Sequence, residues 1–168
     1  MRKFLLLFAF FPILCFGQNE IKYMEFMQIP IEGTIAEFRD ALIQKHKFYN
    51  PRYNDGMAYL KGKFWRFNDV EIRLKGSLDE EIHNVVVKVS KYDYRDEIVE
   101  LIKKLDELYS KHHYEEKSIL NLFTWYTDNG YIVLQEWKMD SDDVFVIYND
   151  KTELEKKKAE IKKEDSDL

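Results

Sequence analysis

Three kinds of apolar pattern succeed one another along the chain: an unbroken run, then helical spacing, then alternation. Phe4 to Phe16 run without a charge, with Pro12 as the one break. Arg2 and Lys3 precede the run, and Gly17 offers a small residue before polar Gln18. A basic start, a short apolar stretch and a small residue at its end predict a Sec-type signal peptide over residues 1–17, cut after Gly17. The stretch of about 13 residues is shorter than the roughly 20 of a spanning helix, and no second apolar stretch is long enough. A lipoprotein signal would use Cys15 as its anchor, but it wants a small residue before the cysteine and Leu14 stands there. Membrane contact is therefore expected only through the signal peptide.

Beyond the short extended entry Ile29–Gly33, Thr34 and Glu37 have the spacing of a capping box. Ile35, Phe38, Ala41 and Leu42 follow helical spacing and predict a helix over 35–46, ended by Asn50-Pro51. Three strands are then expected, Met57–Trp65, Val70–Lys75 and Val85–Ser90, because apolar and polar residues alternate. Phe67-Asn68-Asp69 and Gly76-Ser77 read as the turns between them. The order then recurs. Asp93 caps a second helix whose stripe is Ile98, Leu101, Ile102, Leu105, Leu108 and Tyr109. Strands follow over 122–127, 131–138 and 144–148, the first two joined by Asp128-Asn129-Gly130, read as a type I′ hairpin on Asn-Gly. A lysine- and glutamate-rich helix with few apolar anchors starts near Thr152.

The expected fold is α+β: tandem α-β-β-β halves over about 29–90 and 93–150, plus a C-terminal helix over about 151–165. The sheet is mainly antiparallel, with helices on one face, and residues 18–168 form one domain. The string Ile29-Pro-Ile-Glu-Gly-Thr-Ile-Ala-Glu-Phe38, with Leu60-Lys-Gly-Lys-Phe64 and Val70-Glu-Ile72, resembles small exported proteins of Bacteroides and relatives. Their "IPI-x-G-T" entry and "LKG-x-F" strand are structural motifs, and the signal end Cys15-Phe16-Gly17-Gln18 is similar too. The α-β-β-β order is similar to the tandem fold of β-lactamase-inhibitor proteins. That resemblance implies a fold and does not by itself imply an inhibitory function.

Composition narrows the function classes. The 168 residues hold 26 basic and 31 acidic side chains, a net charge of −5. Nucleic-acid binders usually show a basic excess, so none is expected as partner. Loss of residues 1–17 removes two basic residues and no acidic one, taking −5 to −7, and removes the one cysteine. An exported chain without disulfides must stand on its core, which a domain of this length allows.

Candidate chemistry is sparse. His112 and His113 are read at the end of the second helix, like His46 at the end of the first, as favourable charge at a helix C-terminus. His83 stands alone before a strand. No zinc spacing, glycine-rich phosphate loop or Gly-x-Ser-x-Gly elbow occurs, so neither metal nor cofactor is expected. Glu71 and Glu136 are the carboxylates a hydrolase could pair, although solvated strand faces account for them. Asp140, Asp142 and Asp143 lack the glycine and distal glutamate of a calcium loop. The aromatics are the most suggestive feature. Tyr59 and Trp65 share the parity opposite Leu60 and Phe64, which places them on the outer face, and Trp125 and Trp137 also lie on strands. Such rings can anchor a protein or stack on a glycan, or else pack across strands under the helices. The expectation is an exported, periplasmic or secreted, non-catalytic binding module for a protein or glycan, its ligand contacted by Tyr59, Trp65, Trp125 and Trp137. The alternatives are a carboxylate-dependent hydrolase, and a folding or inhibitory partner of another exported protein.

Overall fold

The computed structural model describes residues 23–54, 56–76, 81–138, 142–151 and 155. The expected signal segment 1–17 lies outside them. So does the expected C-terminal helix, apart from Lys151 and Glu155. A small hairpin of β1 (Glu25–Phe26) and β2 (Ile29–Pro30) precedes α1 (Ile35–His46). Four strands follow: β3 (Tyr49–Asn54), β4 (Met57–Phe64), β5 (Phe67–Gly76) and β6 (Ile82–Ser90). Then come α2 (Arg95–Tyr109) and β7 (His113–Glu116), β8 (Leu120–Thr127), β9 (Gly130–Trp137) and β10 (Asp143–Asp150). The protein is thus α+β, with one eight-stranded antiparallel sheet ordered β3-β4-β5-β6-β10-β9-β8-β7. β6 and β10 meet in the middle, with Val87 opposite Val146.

α1 starts where its chemistry requires. Thr34 is extended, its hydroxyl accepts from the Glu37 N–H at 3.2 Å, and the Glu37 carboxylate accepts from the Thr34 N–H at 2.9 Å. Lys47 closes the helix in the left-handed region, its N–H donating to the Ile43 carbonyl. Thr34→Ala is expected to destabilise the protein by about 1 kcal/mol, the usual cost of a lost cap, as read by urea unfolding.

Several local expectations need correction. Asp93 does not cap α2; Tyr94 holds that position, with no side-chain cap bond. The turn after β4 is Trp65-Arg66, with Trp65 at φ 51°, so β5 already begins at Phe67. β3 and β7 were not expected. Both are edge strands exposed along their whole length, so no alternation marks them. Pro51 fits β3 because an edge strand can lack one ladder donor. α2 stops at Tyr109, Ser110 takes φ 68°, and His113 opens β7, so the paired histidines do not end the helix. Thr127 pairs with Gly130, which leaves Asp128-Asn129 as the loop, and neither they nor Gly130 has a positive φ. The turn is therefore not type I′.

Both helices pack on one face. Ile35, Phe38 and Leu42 of α1 join Ile98, Leu101 and Leu105 of α2 in one core with Leu60, Ile72, Val87, Val146 and Leu134 of the sheet. The hairpin adds Phe26, stacked on Phe64 at 5.6 Å and edge-on to Tyr148 at 5.0 Å. The strands between the two edges give residues of one parity to this core, so the other set must point away from the helices.

Candidate functional site on the uncovered sheet face

The register defines the second face row by row. One row runs Arg52, Tyr59, Arg73, Val86, Ile147, Val133, Thr124, His113. A parallel row runs Tyr49, Lys61, Glu71, Lys88, Phe145, Gln135, Leu122, Glu115. Among the described residues, no helix or loop packs over these rows. Their side chains are half-buried by one another, except Val86, which is buried, and the exposed residues at the sheet edge.

The centre of the face is concave. A depression of about 500 Å³ is lined by Asn84, Val86, Tyr131, Val133, Ile147 and Asn149, among others. Asn84 donates its amide N–H to the Asn149 side-chain oxygen, while its own side-chain oxygen is buried without a partner among the described residues. Reversing both amides would exchange donor for acceptor and still leave one group unmatched. Buried polar groups are ordinarily paired, so this oxygen, with almost no accessible surface, is an unmet polar group in the wall of the depression.

Toward β3 the face is charged. Glu71 bonds Arg73 at 2.9 Å and Arg52 at 3.3 Å, and both guanidinium groups lie about 6 Å from the Tyr59 ring centre. Lys61 pairs with Asp69 at 3.6 Å and Lys88 with Asp143 at 2.9 Å. Toward β7 the face is apolar and aromatic, with Phe145, Leu122, Trp137 and the cross-strand pair Tyr126–Tyr131, the last two 70% and 40% exposed.

The four expected ligand-binding aromatics therefore divide. Tyr59 and Trp137 lie on the uncovered face. Trp65 does not: the chain turns at this residue, and its ring packs on Phe67 at 5.5 Å and under Arg66. Trp125 is 1% exposed on the helix face and cannot touch a ligand as placed. Its indole N–H donates to Asp106 at 2.8 Å, and the same carboxylate oxygen accepts from the His112 backbone N–H at 3.1 Å and contacts its ring Nδ1 at 2.8 Å. Burial raises the Asp106 carboxyl, but the donors of His112 and Trp125 outweigh it and hold the group below the usual carboxylate range. A carboxyl depressed in the folded state adds stability above its unfolded value near about 4, and that stability is lost as the pH falls through the folded value. Asp106→Asn is expected to cost about 1 kcal/mol at pH 7, the difference between charged and neutral hydrogen bonds. The gap from wild type should close below about pH 4, as measured by urea unfolding across pH.

The two carboxylates suited to a hydrolase are also separated. Glu71 lies on the uncovered face, whereas Glu136 lies on the helix face opposite Val144. Burial raises the Glu136 carboxyl, but Lys91 at 2.6 Å and Asn121 at 3.0 Å outweigh it and hold it low, the wrong direction for a general acid. Among the described residues no three histidine, cysteine or acidic side chains gather as a metal site, and no helix is long and apolar enough to cross a membrane. No family model, curated protein or solved structure matches the chain.

Proposed function

We propose that the chain is an exported, non-catalytic binding module whose uncovered sheet face takes a protein partner. The observation that carries this reading is the continuous sheet face, hollowed at its centre, that nothing described covers. Seven gaps of about 4.8 Å and eight-residue strands at about 3.4 Å per residue give a projected face of roughly 900 Å². Each partner contributes about 800 Å² to a standard protein interface. A protein suits the face better than a glycan because its centre, Val86, Val133 and Ile147, is aliphatic, and Tyr59 lies between two arginines. On the β3–β6 side Arg52, Lys61, Arg73, Lys75 and Lys88 outnumber Asp69 and Glu71, so the partner's matching edge is acidic. Residues 1–17 would deliver the module to the periplasm, envelope or medium. The two halves read as repeats of one plan whose last strands join the sheet. The 2.9 Å bond from the Glu155 N–H to the Lys151 carbonyl supports a C-terminal helix.

The test uses a partner recovered on the immobilised full chain from the envelope of cells that make it. Ile147→Asp places an unpaired charge at the centre of the face and is expected to weaken that partner at least about 100-fold, as a buried hot-spot loss does. Val99→Asp on the exposed side of α2 is expected to leave affinity unchanged. The opposite ranking would overturn the reading.

A further inference from the structure

The helix side holds a second concavity, away from the proposed docking face. It has about 520 Å³ and is lined by Leu101 and Leu105 of α2, Met27 of the hairpin turn, Trp65, Phe64 and Tyr148. That volume lies within the roughly 300–1,000 Å³ of small-molecule sites, which are mostly apolar with a few placed polar groups. Leu108 sits at its rim and is 60% exposed, so the cavity opens to solvent. Met27 and Gln28 form another lip, both in the left-handed region and held there by α1: Lys45 donates to the Gln28 carbonyl and His46 Nε2 contacts the Met27 carbonyl at 2.8 Å.

Tyr148 is the telling residue. It is 8% exposed and lines the cavity, and its ring packs against Phe26 and Phe64. Among the described residues its hydroxyl has no hydrogen-bond partner, and the oxygen keeps some accessible surface. An accessible phenol hydroxyl that lines a cavity is free to donate to an acceptor brought in from outside. Burial pushes the phenol up, so it remains a neutral donor at neutral pH. Of the ionisable groups in the lining, Lys104 is engaged with Glu107 at 2.9 Å and His46 with the Met27 carbonyl, and burial pushes the Tyr109 phenol up, so it stays neutral like Tyr148. A charge brought to Tyr148 would be desolvated without a counter-ion, which is far more costly than burying a neutral oxygen.

We propose that this cavity binds a small, largely apolar, uncharged molecule whose single carbonyl or ether oxygen accepts a hydrogen bond from the Tyr148 hydroxyl. The apolar body lies against Leu101, Leu105, Phe64 and Trp65. The site is independent of the sheet-face reading and stands or falls separately.

The solvatochromic dye 6-propionyl-2-dimethylaminonaphthalene has this chemistry, a neutral ring system with one carbonyl. Titrated with the full chain, it is expected to show a saturable blue shift at one site per chain. Tyr148→Phe should weaken it about 5–10-fold, the loss of one hydrogen bond. The carbonyl-free 2-dimethylaminonaphthalene should bind wild type and Tyr148→Phe alike. Leu108→Glu, at an exposed position where folding is not at stake, should weaken both dyes. Ile147→Asp should weaken neither. Absence of saturable binding, equal dye affinity for wild type and Tyr148→Phe, or loss of dye binding in Ile147→Asp would each overturn the proposal.

Discussion

Trp125→Ala is expected to destabilise the fold by about 3–5 kcal/mol, the range for removing a buried aromatic side chain. Trp125 is the largest fully buried side chain described, and it fastens α2 to β8. Its ring fills the space under α2, edge-on to His112 at 5.5 Å, and its N–H is one of the donors that Asp106 collects. Truncation therefore leaves a cavity and takes away a hydrogen bond at once. Trp125→Phe keeps most of the packing and loses only the donor, so it should cost clearly less. Urea unfolding of both variants, with an unchanged slope against denaturant, is the measurement. A loss below about 1 kcal/mol in Trp125→Ala would mean that the tryptophan is not packed as described.

Gly130→Ala is expected to cost about 2–3 kcal/mol, the upper part of the overpacking range. A Cβ at this position would stand 2.0 Å from the Asn149 carbonyl oxygen, which is backbone and cannot rotate aside. The same Cβ would lie 3.1 Å from the Met24 sulfur. β9 and β10 would have to part at the end of their ladder, where the Asp150 carboxylate accepts the Met24 N–H and ties down the start of the described chain. Gly56 provides the comparison. Nothing lies within 4 Å of a Cβ there, but its φ is +71°, so Gly56→Ala should cost only the left-handed penalty of about 1–2 kcal/mol. Thermal unfolding of the two variants side by side checks the ranking.

Gly130 also illustrates which parts of this fold can be read from residues alone. Asn129-Gly130 has the composition of a type I′ hairpin, and a hairpin does form there. The glycine is nevertheless required by the close approach of β10, a contact with Asn149 that no local pattern announces. Helix α1 is legible because Thr34, Glu37 and the apolar stripe lie within one short segment and agree with one another. Alternation exposes β4, β5, β9 and β10 for the same reason. β3 and β7 have no buried face, so their strand state follows from pairing with β4 and β8 and from nothing local.

The candidate site was half legible. Alternation separates Tyr59 from Leu60, which puts Tyr59 on the uncovered face, but it cannot see that the chain reverses at Trp65. On β8 both parities are apolar, Leu120 and Leu122 against Phe123 and Trp125, so only the register of Trp125 opposite Ile132 decides which set is buried. The depression around Asn84 gathers side chains from β6, β9 and β10, which are far apart in the chain. Likewise the Asp106–His112 contact exists because Ser110 turns the chain back at φ 68°, and six-residue spacing carries no helical signal for it.

The central claim is that the sheet face without helices is where this protein meets its partner. Site-specific photo-crosslinking tests it most directly. A diazirine side chain is placed at Val133 on that face in one variant and at Val99 on α2 in another, in the full chain made in its own cells. The expected result is one discrete adduct from Val133, lost when Ile147→Asp is added, and none from Val99. An adduct from Val99 with none from Val133 would contradict it.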